Sequence, residues 1–201
     1  MRKLLVVGCI VCTAASAFAQ DSDRFYVGGS VGSVKANTGV SGLTGTASLD
    51  ERDTGYKLYA GYAMNQYASV ELQYANFGEA TLSGTTGDRF SYEGRTYQLL
   101  ASNASFSLKT DSIGASVLLG IPLTEGITPF IRAGLHRWES DMKVTATNFS
   151  ANDSDHGTDP FGGVGLDVKI VKNISARIEA ERYKIDSDNG DFISAGIKVA
   201  F

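Results

Sequence analysis

The segments ISARIEAERY (residues 174–183) and DFISAGIKVAF (residues 191–201) decide the fold. In the first, Ile174, Ala176, Ile178 and Ala180 fall on one side of an extended chain, and Ser175, Arg177, Glu179 and Glu181 on the other. In the second, Ile193, Ala195, Ile197, Val199 and Phe201 oppose Ser194, Gly196, Lys198 and Ala200. A strict period of two is a strand signature, and Asn189-Gly190 between the runs supplies a type I′ turn. The pair therefore reads as a β-hairpin with one aliphatic face and one charged face. The chain stops on an aromatic residue at the end of a full strand, so no soluble domain is expected to follow.

The same alternation recurs upstream, and helical periodicity of any length does not. Strands are expected over residues 24–34, 54–64, 68–77, a run ending at Ile121, 127–139 and 158–170, which with the terminal hairpin makes eight of about ten residues. Residues 65–67, 122–126 and 171–173 are tight turns. Residues 36–53, 78–109 and 140–157 read as long polar loops, and residues 185–190 as a brief one. Along the fourth strand the apolar set Ile113, Ala115, Val117, Leu119 and Ile121 is odd-numbered, whereas Phe106 and Leu108 are even. That slip predicts a bulge or the membrane boundary near residues 110–112.

The ends and the composition set the compartment. Met1-Arg2-Lys3, the apolar run that follows and Ala17-Phe18-Ala19 before Gln20 have the form of a secretory signal cut after Ala19, giving a leader over 1–19 and a single domain over 20–201. A lipobox reading of Cys9 would leave a truncated apolar region. Cys9 and Cys12 both fall inside the leader, so no disulfide is expected to stabilise the mature domain. Removing Arg2 and Lys3 leaves 16 basic residues against 22 acidic ones, a net charge of about −6, which argues against nucleic acid as a partner. No later stretch has the apolar length of a transmembrane helix.

Period two alone leaves open which face is enclosed: a soluble barrel and a membrane barrel carry the same alternation with opposite sides inward. Glycine arbitrates. Gly28, Gly32, Gly61, Gly114, Gly163, Gly165 and Gly196 lie on the polar face, where a solvated surface gains nothing from them but a narrow eight-stranded lumen gains room for Tyr26, Tyr59 and Phe161. The polar face is therefore expected inside. Phe25, Tyr62, Tyr67, Tyr74, Phe77, Trp138, Tyr183 and Phe201, near strand ends, would form two aromatic girdles at the bilayer interfaces.

With the faces assigned, the run Phe25-Tyr-Val-Gly-Gly-Ser-Val-Gly32, the segment Gly55-Tyr-Lys-Leu-Tyr-Ala-Gly-Tyr62 followed by Val70-Glu-Leu-Gln-Tyr74, and the terminal Phe201 resemble the OmpA-like outer-membrane β-barrel family, the small porin family proteins of Gram-negative bacteria. The resemblance covers the whole mature chain. It implies an all-β, eight-stranded antiparallel up-and-down transmembrane barrel in the outer membrane, surrounded by outer-membrane lipids and lipopolysaccharide. It also implies that Phe201 is read by the barrel-assembly machinery. OmpA proteins continue into a peptidoglycan-binding domain, which this chain is expected to lack.

Inward parity collects Lys57, Glu71, Arg132, Asp167, Lys169, Arg177, Glu179, Glu181 and Lys198. Their charges nearly cancel, and unpaired charge in a poorly hydrated lumen is costly, so a paired network filling the barrel is expected. The alternative is a gate whose ion pairs exchange partners to open a small conductance. His136, Glu139 and Ser140 raise a lipid-modifying enzyme, but Glu139 has the opposite parity and no catalytic residues are assigned. Asp186-Ser-Asp-Asn-Gly-Asp191 lacks the glycine and glutamate positions of a calcium loop and reads as a polar hairpin tip, and neither metal nor cofactor is expected. Sequons at Asn103, Asn148, Asn152 and Asn173 are chance matches in a bacterial export context. The expected role is an envelope-integrity barrel whose three loops could meet an extracellular or host ligand. A secreted soluble barrel is the competing fold.

Overall fold

The alternation of the terminal segments becomes a hairpin of β11 (Ile174–Ile185) and β12 (Asp188–Ala200) in the computed structural model, which describes residues 24–37, 41–92, 94–100, 102–147 and 149–201. The expected leader, with Cys9 and Cys12, lies outside the described residues. Six further long strands complete the wall: β1 (Phe25–Asn37), β4 (Arg52–Ala63), β5 (Ala68–Gly84), β8 (Ala104–Gly120), β9 (Ile127–Ala146) and β10 (Phe149–Val171). The order β5-β4-β1-β12-β11-β10-β9-β8 closes through β5–β8, and every neighbouring pair is antiparallel. The result is an eight-stranded up-and-down barrel. A short β3 (Ser48–Asp50) pairs with the far end of β5, while β2 (Ser41–Thr44), β6 (Arg89–Tyr92) and β7 (Arg95–Gln98) form a small separate sheet.

The tight turns expected at 65–67, 122–126 and 171–173 gather at one end with the start of β1 and the end of β12, where the Phe201 amide donates to the Phe25 carbonyl at 2.8 Å. Asn65 explains the first: its side-chain oxygen accepts from the amides of Tyr67 and Ala68 at 2.8 and 2.9 Å, an Asx turn. Facing outward are Leu72 (66% exposed), Ile113 (67%), Ile131, Leu135, Ile178 and Ile193, while Lys57, Glu71 and Arg177 are 0–2% exposed. Greasy outside and charged inside is the membrane solution, and the soluble-barrel alternative fails on this point. On β9 the outward apolar run covers residues 127–135, about 30 Å of strand, which at the usual tilt spans roughly the 25 Å apolar band of such barrels.

Glycines do the work assigned to them. A Cβ at Gly28 would fall on the Tyr59 ring, and one at Gly61 on the Tyr26 ring, so each tyrosine lies over the glycine paired with it on the neighbouring strand.

Four expectations need correction. The terminal hairpin turns at Asp186-Ser187, with Asp186 at φ +52°; Asn189 and Gly190 are ladder residues opposite Lys184 and Tyr183. Residues 140–157 are not a long loop but the upper half of the β9–β10 hairpin, paired continuously from Phe149↔Ala146 downward. Likewise β5 runs to Gly84 and β8 starts at Ala104, and β6 and β7 lie between them, so the expected loop over 78–109 shrinks to residues 85–103 and is itself partly strand. The outward face of this region turns polar, and residues 149–156 are exposed on both faces, so the alternation that marks the lower strands is lost there.

The parity slip has a different cause from a bulge in its own strand. The β8–β9 register is unbroken from Ser105 to Gly120. The shift lies in β5, between Asn76 and Glu79, where Gly78 takes φ +74° and the freed Glu79 amide donates to Asp53 at 2.8 Å. Phe106 and Leu108 stay on the inward side; what changes near Asp111 is the polarity of each face.

Finally, three aromatics assigned to the girdles point inward. Phe77, Trp138 and Tyr183 are buried, whereas Phe25, Tyr62, Tyr67, Tyr74 and Phe201 remain on the outer surface, Phe25 and Tyr62 in ring contact at 4.9 Å. Inward parity predicts this for Trp138 and Tyr183, which continue the series of His136 and Glu181.

Candidate functional site: the lumen

Each long strand delivers its inward side chains as a column, so neighbouring columns meet at matched heights. Glu71 from β5 is the hub. It accepts from Arg177 at 2.6 Å and from the Tyr26 hydroxyl at 2.8 Å, and its second oxygen is paired with Arg132. Arg132 from β9 also donates to Glu181 at 2.6 Å and to Gln73 at 3.0 Å, and stands 3.2 Å from Glu179. Lys57 from β4 bridges Glu179 and Glu181 at 2.5 and 2.6 Å.

Below them, toward the tight turns, Arg177 holds Asp167 through two bonds of 2.7 and 3.0 Å, and Lys198 completes that group by pairing with Asp167. Arg177 also lies 4.7 Å from the Tyr59 ring and 4.8 Å from that of Phe130, flanked by two π-faces. This lower cluster lines a cavity of about 230 Å³ at the turn end.

Eight of the nine residues picked by parity are therefore brought together. Lys169 is not: it is exposed near the end of β10, beside the irregularity between Lys169 and Val171. Its departure leaves four cations and four anions. Gln73 is the member the sequence reading missed. It shares the parity of Glu71 and links the charges to the Tyr183 hydroxyl at 2.8 Å, a role that parity signalled but the search for charges passed over.

Above the charges lies a second, unanticipated layer. Val34, Ala75, Phe77, Phe161, Tyr183 and Phe192 form a buried apolar cluster with Ile185 against it. Phe161 and Tyr183 stack at 4.9 Å with planes 2° apart, and His136 stands edge-on to both. The His136 Nε2–H donates to the Lys184 carbonyl at 2.8 Å, Ser140 is bonded to Thr110 at 2.8 Å and Glu139 faces outward, so these three residues do not assemble into a nucleophile and base.

Near the open end, Asp159 ties three elements together. It accepts from Trp138 Nε1 at 2.8 Å and from the Asp186 amide at 3.0 Å, with Lys184 at 3.7 Å. The outer surface is polar: Arg182 clasps Asp191 through bonds of 2.6 and 3.0 Å, and Asp88 joins two loops by accepting from Thr46 and Thr85, contacts that hold its carboxyl below the usual range.

A family model for the outer membrane protein beta-barrel domain matches residues 5–201. Outer membrane protein A of Salmonella typhi is 26% identical over 203 residues, which cover 98% of this chain and 52% of that protein, so the chain spans about half the length of the curated relatives it matches. Among solved structures, Pseudomonas aeruginosa OprG is similar with a TM-score of 0.55 at 12% identity, over 90% of this chain and 97% of that one. Yersinia pestis Ail, solved in complex with the heparin analogue sucrose octasulfate, is similar with a TM-score of 0.53 at 16% identity, over 89% and 99%. Both structures resemble this chain in fold.

Proposed function

The chain belongs to the outer membrane protein β-barrel family and resides in the outer membrane of Gram-negative bacteria; from that premise we propose that it is a plugged barrel contributing to envelope integrity and presenting its outer wall for recognition. The observation that carries the plug is the lumen itself: four cations and four anions, buried apart from the partly accessible Lys198, share partners under an apolar layer. A network this dense resists the passage of ions, since each carrier would have to displace a paired, desolvated charge. The acidic, polar upper wall supports the recognition half of the reading, and the heparin analogue bound to Ail is a precedent for a surface ligand on this fold.

Single-channel recording on protein purified into planar bilayers tests the plug. At most rare, small openings are expected; steady, large porin-like conductance would overturn the plug. Two further readings go with it. Residues 1–19 are a cleaved leader, so the mature protein is expected to begin at Gln20. Phe201 is the residue presented to the assembly machinery, so Phe201→Ala is expected to slow insertion without altering the folded barrel.

A further inference from the structure

The wall is uneven. β11 stops pairing with β10 at Tyr183↔Phe161, yet β10 continues upward through residues 149–160, bonded to β9 on one side. Its other side is an open sheet edge, and residues 149–156 and 158 are exposed. Such an edge is a template for another strand.

The edge groups are held in an unusual way. The Ser154 amide donates to the Asp153 carboxylate at 3.0 Å, and the His156 amide to the Asp155 carboxylate at 2.8 Å. Amides that reach side-chain oxygens of their own preceding residue are turned away from the β9 ladder, so the even-numbered positions present their backbone groups at the edge. Pro160 has the same parity, and its missing N–H belongs to the edge rather than to β9, the position a sheet tolerates for proline. Each aspartate thus guards the donor that follows it.

We propose that this edge, residues 150–158, docks an extended lysine- or arginine-rich peptide segment that adds to the wall as a further strand. The chemistry is an exchange of partners. Carbonyls of the incoming strand accept from the Ser154 and His156 amides, and its cationic side chains, alternating onto the inner face, take the Asp153 and Asp155 carboxylates released from those amides. An uncharged strand would leave the carboxylates without compensation. A second copy of this chain would set acidic edges against each other, and like charges directly opposite are destabilising.

The proposal rests on the surface-recognition reading above and names its partner class. The test uses the full folded barrel in micelles with three ten-residue probes: alternating Lys and Thr, alternating Glu and Thr, and a fully N-methylated Lys/Thr peptide that keeps its charge but whose N-methyl groups clash with the edge and hold its carbonyls out of reach of the amides. Hydrogen exchange at Ser154 and His156 is expected to slow at least tenfold with the first probe and to stay unchanged with the other two. Asp153→Asn with Asp155→Asn is expected to weaken the Lys/Thr peptide at least fivefold, and Ser154→Pro to abolish its binding.

Unslowed amides with the Lys/Thr peptide, or equal slowing by its methylated form, would overturn the proposal; the methylated comparison uses unaltered protein and so does not depend on the variants folding. A loop-borne ligand that binds without slowing these amides would remove the edge while leaving surface recognition standing.

Discussion

The lower and upper halves of β9 share one parity and opposite chemistry. Below, Ile131, Ala133 and Leu135 face outward while Arg132 and His136 face in; above, Arg137, Glu139, Asp141 and Lys143 face outward while Trp138, Met142 and Val144 face in. The crossover falls between Leu135 and Arg137. One strand thus obeys two solvents: hydrocarbon selects the aliphatic side where it surrounds the barrel, and water selects the polar side where it does not. The upper half is built like a soluble protein, with an apolar centre, and the lower half is inverted.

Substitutions can break this comparison. Glu71→Ala removes the carboxylate that two buried guanidinium groups share, leaving Arg132 with Glu181 and Arg177 with Asp167 in an unbalanced lower half, and a loss of about 5 kcal/mol is expected from urea unfolding in micelles. Phe192→Ala, in the apolar layer above, is expected to cost about 4 kcal/mol by leaving a cavity of the ordinary soluble kind. If Phe192→Ala proved neutral, the upper half would not be a packed core.

The outward surface gives a sharper contrast within one strand. Ile131→Arg, midway up the apolar band, is expected to cost about 3 kcal/mol, whereas Thr145→Arg on the same face of β9 should shift stability by less than about 0.5 kcal/mol. Equal costs at the two positions would place the membrane boundary elsewhere.

The smallest effect is expected from acid. The Thr85 amide, the Thr46 hydroxyl and the Thr46 amide, in that order, lower the pKa of Asp88, so its folded-state value lies under its unfolded one. The stabilisation is complete above the ordinary carboxylate range, near pH 4, and fades as pH falls through the folded value. Exchange protection at the Thr46 and Thr85 amides, corrected for intrinsic rate, is expected to drop there, and Asp88→Asn should remove that pH dependence.

How far the sequence could carry the fold follows from the same division. Where one face met lipid, alternation was sharp and the strands, their inward charges and the closed barrel were legible from residues such as Ile178 and Glu179. Toward the tip of the β9–β10 hairpin both faces are wetted, Asn152 and Asp153 look alike to a polarity scan, and paired residues passed for loop. The apolar layer was written in parity, since Tyr183 continues the series of Arg177, Glu179 and Glu181, but aromatic character near a strand end pointed to the bilayer interface instead. Lys169 went the other way: it has the right parity, but the strand runs out of barrel before its side chain can reach a partner. Parity tells which way a side chain points and says nothing about where the wall ends.

The seam between β1 and β12, from Tyr26↔Ala200 to Asn37↔Asn189, has a kinetic consequence. Within the wall β12 is a required neighbour of β1, so no partial product that lacks β12 can hide both open sides, and closure must wait until β12 is available. Folding must therefore be late and slow, dominated by pairing between distant parts of the chain, with the interval before closure as the time of greatest exposure to aggregation.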